Sequence, residues 1–445
     1  MLFRNLFSGD QRTALVKKNI AGSFLIRGWN SLIQFLLVPL TLQCLTQYEY
    51  GIWLTINSLL IWIDQFDIGL GNGLRNKLAE AIAIRDYDRA RKLTSTTFIM
   101  LIAIIVPFIG LLVAIIEVID SYAIFNADPT LLPNLKGVLQ ISVSLVGTTF
   151  IFKFIGNIYL GLQMPAINNL LVALGRTFSL ICVAVLAFIN DHSFLHIAIA
   201  YTLSPLVVYL ISYPITFHFH RELRPSFLLF DKTELQGLFS LGVKFFLVQI
   251  GGAILFASSN LIISNTLSPE EVTPYQISYY FFSIPLILFS IIISPLWSAT
   301  TDAYTKGEWE WIRKAEKKMR KVLLYMFILL VIMVAISPFI YRVWIGNNIN
   351  ISTSISIGMA FYIALILFSL CYSNFLNGIG KIWLLTIITI IEAVVFIPLA
   401  YFFGKSFGLL GIIVALIAVN SMCAITNFIQ FKKIYRRNAT GIWNK

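Results

Sequence analysis

Four cationic side chains lie inside long apolar runs of this 445-residue chain: Arg27, Lys153, Arg176 and Lys244. A charge near the centre of a bilayer costs roughly 2.5–3.5 kcal/mol on insertion scales, and such residues usually face a cavity or a partner. At about 1.5 Å per helical residue, all four lie in the inner half or at the centre of their predicted spans. Guanidinium and ammonium groups bind phosphates and carboxylates. The four residues therefore predict a positively charged site for an anionic group.

Depth separates these four residues, because a long basic side chain near a helix end can reach the membrane interface without a partner. Arg27 and Lys244 lie roughly 10 Å and 9 Å from the inner ends of their predicted helices, so interface placement is an equal alternative for both. Lys153, at roughly 12 Å, reaches the interface less easily, and Arg176, at roughly 15 Å, is too deep for it. For Lys153 and Arg176 the alternative to anion binding is a structural ion pair.

Three carboxylates complete the charged residues singled out in the predicted spans. Glu392 lies roughly 15 Å into an otherwise apolar run, where it could exchange a proton or Na⁺ or serve as a hydrogen-bonded structural group. Asp64 and Asp67 are three residues apart, which places them on one face of a helix. They could pair with the cations or carry a coupling ion. No group of residues has the spacing of a metal site or a catalytic site, so neither is predicted.

The elements that position these charges are membrane-spanning helices. The chain is 58% hydrophobic and only 12% charged, with a mean hydropathy of +0.83, whereas soluble domains carry roughly 25% charged residues. Apolar runs long enough to cross a bilayer recur along it, which predicts an all-α membrane fold of about twelve spans. The predicted spans are 20–44, 50–73, 94–119, 135–161, 166–189, 196–218, 238–265, 272–300, 321–345, 351–377, 382–403 and 407–431.

Lysine and arginine are distributed unevenly between the predicted connectors. Twenty-six of the thirty-three lie in segments that are cytoplasmic if the N-terminus is inside, and three lie in outer segments. Basic residues stay on the cytoplasmic side, so both termini are predicted to be cytoplasmic. The same distribution accounts for the net charge of +12 without nucleic acid. The predicted domains are a cytoplasmic interfacial segment 1–19, a six-helix bundle 20–218, a cytoplasmic linker 219–237, a second six-helix bundle 238–431 and a basic tail 432–445.

One connector has a second copy half a chain later. Glu80–Lys92 aligns without gaps on Asp302–Lys314, an offset of 222 residues. Acidic residues match at three positions, Tyr87 matches Trp309, and each copy ends in Arg-Lys. Because each copy follows the second span of its half, the pattern predicts two six-helix halves with the same orientation in the membrane. Two such bundles suit alternating access to a central site.

Three short motifs occur in order along the stretch that contains the first copy. They are Tyr50-Gly51-Ile52-Trp53, then Phe66-Asp67-Ile68-Gly69-Leu70-Gly71-Asn72-Gly73-Leu74-Arg75-Asn76-Lys77-Leu78-Ala79-Glu80, then Asp86-Tyr87 and Ala90-Arg91-Lys92. This stretch resembles the Wzx-type O-antigen flippases of the multidrug/oligosaccharidyl-lipid/polysaccharide (MOP) exporter superfamily. The two-bundle plan extends the resemblance to the whole chain, although drug exporters of the superfamily share that plan. The four cations are assigned from their depth and not from a family motif.

The resemblance implies a flippase that moves undecaprenyl-diphosphate-linked oligosaccharide repeat units to the outer leaflet of a bacterial inner membrane. The units would serve the assembly of O-antigen or another surface polysaccharide. The resemblance implies alternating access coupled to an H⁺ or Na⁺ gradient, without catalysis or a cofactor. The expected partners are the lipid-linked oligosaccharide and membrane lipid, with a polysaccharide polymerase and a chain-length regulator beside them and no nucleic acid.

Two other functions stay open on the sequence. A multidrug exporter of the same superfamily would share the fold, but buried acids would suit cationic drugs better than four buried cations do. A membrane polysaccharide polymerase would need a large loop that carries catalytic acids or bases, and the predicted outer loops are short.

Overall fold

The structure is a computed structural model that describes residues 11–65, 70–235, 258–347 and 349–444. These residues form α-helices, short 3₁₀ turns and loops, and they contain no β-strand. The chain divides into two compact units: unit 1 comprises Met1–Thr46 and Leu59–Ile250, and unit 2 comprises Gln47–Ser58 and Gly251–Lys445. The predicted all-α class is confirmed, while the bounds of the two six-helix bundles stay a prediction.

Helices α1 to α9 come from the first half of the chain, and α2 passes from unit 2 into unit 1 at residue 59. Asp86 begins α4 as its N-cap, with Oδ1 accepting from the N–H of Arg89 at 2.9 Å. The bounds are α1 Gln11–Cys44, α2 Gln47–Gln65, α3 Leu70–Ala83, α4 Tyr87–Val118, α5 Ser121–Phe125, α6 Leu135–Phe152, α7 Phe154–Gly161, α8 Pro165–Phe188 and α9 Phe194–Phe219.

Helices α10 to α15 come from the second half and belong to unit 2. Their bounds are α10 residues 258–266, α11 Pro269–Phe282, α12 Ile284–Thr305, α13 Trp309–Ile345, α14 Thr353–Ile379 and α15 Trp383–Tyr435. Helix α15 is interrupted at Gly408, whose φ of 62° and ψ of −149° are not helical. Glycine adopts a positive φ without a steric penalty. The two halves of α15 pack against each other on either side of Gly408. A hydrogen bond from the N–H of Cys423 to the carboxylate of Glu392 joins them.

Seven described helical segments are long and apolar enough to cross a membrane: α4, the α6–α7 pair, α8, α9, α13, α14 and α15. The α11–α12 pair, bent by 40°, passes the same test when it is taken as one broken span. The chain is a multi-pass membrane protein, as predicted. The count of twelve spans and the cytoplasmic termini stay predictions, and the predicted span 238–265 lies largely outside the described residues.

The predicted repeat is present as the same turn at the same offset. Helices α3 and α4 are joined by three residues, and 222 residues later α12 and α13 are joined in the same way. Arg85 and Gly307 occupy matching positions and both have a positive φ, of 60° and 72°. Two matching backbone hydrogen bonds close the turns, Asp86 N to Ala81 O at 2.9 Å and Glu308 N to Ala303 O at 2.8 Å.

A glycine also lets α7 approach α3 closely in unit 1, and another glycine lets α14 approach α12 closely in unit 2. In unit 1, a Cβ on Gly161 of α7 would lie 3.2 Å from the carbonyl oxygen of Arg75. In unit 2, a Cβ on Gly378 of α14 would lie 2.8 Å from the carbonyl oxygen of Trp297. Arg75 and Trp297 are 222 residues apart, so the two units pack matching faces of α3 and α12.

The first turns of α2 and α11 meet closely within unit 2. A Cβ on Gly51 would lie only 1.8 Å from the carbonyl oxygen of Pro269. The same turns are joined by two hydrogen bonds, from Gln47 Nε2 to the carbonyl oxygen of Glu270 at 3.1 Å and from Thr273 Oγ1 to the carbonyl oxygen of Gln47 at 2.9 Å. Gly51, in the first of the three motifs, therefore has a packing role in unit 2.

Candidate functional site

Helices α1 and α8 place two of the predicted cations at one level of unit 1. Arg27 lies on α1 and Arg176 lies on α8. The indole Nε1 of Trp29 donates to Oγ1 of Thr177 at 3.0 Å, and these two residues follow the arginines closely in the sequence. The side chain of Arg176 is exposed, while that of Arg27 lies outside the described part. We call Arg27, Arg176 and Asn30 the α1–α8 cationic site.

Asn30 adds a hydrogen-bond acceptor one helical turn after Arg27. Its Oδ1 is buried and has no hydrogen-bond partner among the described residues. A buried polar atom of this kind usually marks a bound water, ion or ligand. The site therefore combines cations, which bind phosphate or carboxylate, with an amide oxygen that accepts from a hydroxyl group.

Lys153 lies at the break between α6 and α7. Its N–H donates to the carbonyl oxygen of Thr149 at 2.8 Å, and its own carbonyl oxygen accepts from the N–H of Gly156 at 2.9 Å. The second bond spans three residues, so the backbone tightens here into a 3₁₀-type turn. The side chain of Lys153 is half-buried. Lys153 therefore lies at an interruption inside an apolar helical segment, and its role in binding stays a prediction.

The five described helices that carry or flank these cations have no carboxylate of their own. Helices α1, α6, α7, α8 and α9 contain neither aspartate nor glutamate within their bounds. Of the predicted acidic residues in unit 1, Asp64 lies on α2 with its side chain outside the described part, and Asp67 lies outside the described residues. Lys244 also lies outside them. Helices α1 and α6 to α9 thus carry basic side chains and no carboxylate, which favours an anionic ligand.

Glu392 lies in unit 2, where its side chain is only 2% exposed. Its Oε1 accepts from the backbone N–H of Cys423 at 2.8 Å, and Thr389 Oγ1 lies 3.8 Å from the sulfur of Cys423. No ion pair to Glu392 occurs among the residues that the structure describes. An isolated ionised carboxylate is expensive to bury, so this group is suited to bind a proton or a small cation.

A second buried carboxylate in unit 2, Glu316 of α13, was not singled out by the sequence analysis. It is 4% exposed, and its Oε1 lies 3.2 Å from Arg320 Nε, 3.3 Å from Lys432 Nζ and 3.4 Å from the donating hydroxyl of Tyr372. These contacts join α13, α14 and α15, so Glu316 is a structural anchor. The spacing of Glu316 and Arg320, four residues apart on a helix, was the available signal.

Solved structures match this arrangement of helices. An inward-facing multidrug resistance MATE family transporter of the MOP superfamily matches with a TM-score of 0.77 and 15% identity, over 94% of this chain and 98% of that chain. A MATE protein in complex with MaD3S matches with a TM-score of 0.66 and 17% identity, over 95% and 96%. The chain has the MATE fold, and at these identities the likeness shows the fold alone.

Two curated relatives match along most of their length. A Yersinia pseudotuberculosis protein provisionally named an O-antigen export protein is 22% identical over 395 residues, which cover 87% of this chain and 88% of the relative. A Salmonella typhi protein provisionally named an O-antigen transporter is 21% identical over 400 residues, which cover 86% and 88%. These matches agree with the resemblance seen in the three motifs.

The family model described as polysaccharide biosynthesis protein matches residues 16–300. That range contains the stretch from Tyr50 to Lys92 and all four predicted cations, Arg27, Lys153, Arg176 and Lys244. It covers more than half of the 445 residues, and the predicted resemblance is confirmed. The chain belongs to the family of polysaccharide biosynthesis proteins.

Proposed function

We propose that this protein is a flippase that carries a lipid-linked oligosaccharide from the inner to the outer leaflet. The substrate we propose is an undecaprenyl-diphosphate-linked repeat unit for O-antigen or another surface polysaccharide. The family and the names of the two relatives support a polysaccharide cargo. The observation that carries the proposal is the charge of α1 and α6 to α9, which hold Arg27 and Arg176, with Lys153 between α6 and α7, and no carboxylate.

In this proposal the α1–α8 cationic site receives the diphosphate. Arg176 and Arg27 bind phosphate oxygens, and such charge-assisted bonds are strong where water is excluded. Oδ1 of Asn30 accepts from a sugar hydroxyl, which would satisfy the acceptor that has no partner among the described residues. Lys153 and Lys244 add positive charge along the route. The acyl chain stays in the bilayer while the site opens alternately to the two sides.

We propose that Glu392 of unit 2 couples transport to an H⁺ or Na⁺ gradient. Its burial and its lack of an ion pair among the described residues support this role. Proton or cation uptake removes the cost of an ionised group in an apolar environment, so it can favour one conformation over another. Asp64 and Asp67 are proposed either to pair with the cations of unit 1 or to share in binding the coupling ion.

The remaining features are proposed together because they depend on one topology. We propose about twelve spans, in bundles 20–218 and 238–431, with both termini in the cytoplasm of a bacterium and the spans in its inner membrane. The interfacial segment 1–19, the linker 219–237 and the basic tail 432–445 would then lie on the cytoplasmic side. A polysaccharide polymerase and a chain-length regulator would act on the product at the outer face.

A multidrug exporter is the alternative that the shared fold suggests. Sites for cationic drugs need buried carboxylates near the drug, and none occurs in α1 or in α6 to α9. Glu392 supplies one carboxylate in unit 2, which a drug exporter could also use. The basic residues of α1 and α6 to α9, without any carboxylate in these helices, therefore favour the anionic lipid over a cationic drug.

The proposal is tested in the native host after deletion of the gene. Lipids are extracted, and the leaflet that holds the undecaprenyl-diphosphate-linked repeat unit is determined with a reagent that cannot cross the membrane. Complete units trapped in the inner leaflet, together with loss of surface glycan, are the expected result. Units that reach the outer leaflet but stay unpolymerised would point to a polymerase, and unchanged lipids and glycan would point to a drug exporter.

A further inference from the structure

Unit 2 carries a depression of about 420 Å³ at the start of α13. We call it the α13 depression. It is lined by Gly307, Glu308, Trp309, Glu310, Trp311, Lys314 and Arg437. Its position follows from the repeated turn, since the same residues of the other copy form the start of α4 in unit 1. A comparison of the two copies shows what such a surface binds.

In unit 1, the matching surface is covered by the segment that follows α9. Arg89 Nε lies 2.7 Å from Oε1 of Glu234, and Lys92 Nζ lies 3.6 Å from Oδ2 of Asp231. The two carboxylates are three residues apart in segment 221–235, which also carries three basic residues. The first turns of α4 thus bind two carboxylates of this segment through two cations.

Backbone groups of that segment are bound as well. Arg91 Nε donates to the carbonyl oxygen of Arg224 at 3.0 Å. Ser95 Oγ accepts from the N–H of Ser226 at 3.0 Å, and Thr96 Oγ1 accepts from the N–H of Asp231 at 3.0 Å. The hydroxyls on α4 therefore serve as acceptors for the backbone of the bound segment.

In unit 2, the residues 222 positions later are Trp311, Arg313, Lys314, Lys317 and Lys318. The four basic residues are exposed, and none of them forms an ion pair with an acid in the described part of the chain. Lysines stand where unit 1 has its two hydroxyls, and an ammonium group donates hydrogen bonds but cannot accept them. An occupant of this surface must therefore present more acceptor groups than the segment in unit 1 does.

The C-terminal segment of unit 2 binds beside this surface and leaves it open. Lys381 Nζ donates to the carbonyl oxygen of Asn444 at 2.7 Å, and Gln430 Nε2 donates to that of Trp443 at 3.3 Å. Of the tail residues, Arg437 lines the depression, with its guanidinium 5.8 Å from the ring of Trp309. The tail thus adds a cation to the depression and contributes no acid.

The length of α13 separates the depression from the membrane. Residues 322–345 are predominantly apolar and would cover about 36 Å, enough for the hydrocarbon core. Lys314 lies roughly 12 Å and Trp309 roughly 20 Å beyond residue 322 along the helix axis, whereas the headgroup layer is only about 5–8 Å thick. The depression therefore favours a polypeptide over a lipid headgroup.

We propose that the α13 depression binds an acidic segment of a partner protein on the predicted cytoplasmic side. One carboxylate pairs with Lys314 in the way that Asp231 pairs with Lys92, and further carboxylates bind Lys317 and Lys318, which lie about one turn further along α13 and outside the lining of the depression. The ring of Trp311 packs against the segment where unit 1 has Arg89. Glu308 and Glu310 match Asp86 and Asp88 of unit 1. These two aspartates do not prevent Asp231 and Glu234 from binding to the start of α4.

The test uses the purified full-length protein in nanodiscs of neutral lipid. The probe is a fluorescein-labelled peptide of twelve residues with Asp and Glu three positions apart, and its anisotropy is measured at about 0.05 M salt, where screening is weak. The double variant Lys314→Glu/Lys317→Glu should bind the peptide about tenfold or more weakly, because two attractive charges become repulsive. Trp311→Arg, which recreates the pair found in unit 1, should bind it more tightly.

The matched control is Arg342→Glu/Lys405→Glu, which makes the same change in net charge at two exposed positions of unit 2 far along the sequence. It should bind the peptide as the unaltered protein does. Equal weakening in both double variants, or no peptide binding at all, would overturn the proposal. So would a result in which Lys314→Glu/Lys317→Glu reduces binding to vesicles with about 30% phosphatidylglycerol and leaves peptide binding unchanged.

Discussion

The two units differ in the charged residues inside some of their described helices. In unit 1, the described helices α1 and α6 to α9 contain Arg27 and Arg176, with Lys153 at the break between two of them, and no carboxylate. In unit 2, the interior of the described spans contains Glu392, with no ion pair among the described residues. The two units, which share a repeated turn, therefore place different charged groups in these helices.

This difference teaches how one architecture can serve two tasks. A cationic region is suited to bind a phosphorylated headgroup, and a lone buried carboxylate is suited to take up a proton or a cation. A cation and a carboxylate within about 4 Å of each other would form an ion pair and leave neither charge for a ligand. Separating them lets each site keep its charge until its own ligand arrives.

The connectors of the two units differ in a related way. Both begin with the same turn, which has a positive φ at Arg85 and at Gly307. The start of α4 is covered by the acidic residues Asp231 and Glu234 of its own chain, whereas the α13 depression stays open. The backbone of the turn is shared, and side-chain differences decide what each copy binds.

The largest effect should come from removing the central cation of unit 1. Arg176→Ala should lower the transport rate by about a hundredfold or more, because loss of a charge-assisted contact to a phosphate in a dry site costs about 3 kcal/mol. Surface glycan and the leaflet of the lipid-linked unit would be measured at equal protein levels. Arg176→Lys keeps the charge and should restore part of the activity.

Normal export by both Arg176→Ala and Arg176→Gln would show that Arg176 does not bind the substrate in unit 1. A matched control is Arg342→Ala, which removes an exposed arginine at the end of α13. It should leave the rate unchanged.

The next largest effect should come from the carboxylate of unit 2. Glu392→Gln keeps an oxygen that accepts from the N–H of Cys423, so the fold should persist, but it removes the group that carries the ion. In proteoliposomes with an imposed H⁺ or Na⁺ gradient, the leaflet ratio of the substrate should fall by about fiftyfold for one charge moved through about 100 mV. An unchanged response to both gradients would remove Glu392 from the coupling.

A smaller effect is expected where the first turns of α2 and α11 meet. Gly51→Ala should destabilise unit 2 by about 1–3 kcal/mol, because the new Cβ would overlap the carbonyl oxygen of Pro269. Gly110→Ala is the matched control: nothing lies within 4 Å of its Cβ, so it should be neutral or stabilise α4 by up to about 1 kcal/mol. Thermal unfolding in detergent compares them, and equal unfolding temperatures would contradict the close packing.

The smallest effect should appear on acidification at the contact between α4 and the segment that follows α9, which we call the clasp of unit 1. It contains the ion pairs Arg89–Glu234 and Lys92–Asp231. Hydrogen bonds from Thr233, together with Lys92, lower the pKa of Asp231. A lowered pKa in the folded state stabilises the clasp above the unfolded value of about 4, and this contribution is lost as the pH falls through the lowered pKa.

Hydrogen exchange of the amides of Ser226 and Asp231 should therefore accelerate below about pH 4. The amide of Trp443, in a tail held by neutral and cationic donors, should show a smaller change. Equal acceleration of exchange at Ser226, Asp231 and Trp443 would show that the carboxylate of Asp231 does not stabilise the clasp of unit 1.

Much of this fold could be predicted from the sequence because the membrane constrains it strongly. Apolar runs mark the spans, and the gapless match of Glu80–Lys92 with Asp302–Lys314 predicted a repeat, which the structure shows as two turns with matching backbone hydrogen bonds. The break at Lys153 was not predicted, since a short interruption inside an apolar run leaves no compositional signal. The predicted pair of helices 382–403 and 407–431 is consistent with the interruption at Gly408.

The candidate site was predictable in its charges and not in its neighbours. Depth along each helix pointed to Arg176 and Glu392, because a charge inside an apolar run is conspicuous. The level that α1 and α8 share, through Trp29 and Thr177, depends on helix packing between residues about 150 positions apart. The anchor at Glu316 was missed because its partner Lys432 comes from a distant helix.

The most direct test of the central claim is a flipping assay with purified protein in proteoliposomes. The substrate is an undecaprenyl-diphosphate-linked sugar, and the control is a lipid with the same sugar and chain but a neutral linkage; an impermeant reagent reports how much of each lies in the outer leaflet. We expect rapid movement of the diphosphate lipid, little movement of the neutral one, and loss of the difference in Arg176→Ala. Equal movement of the two lipids, or an unchanged preference in Arg176→Ala, would contradict the assignment of the unit 1 cations to the diphosphate.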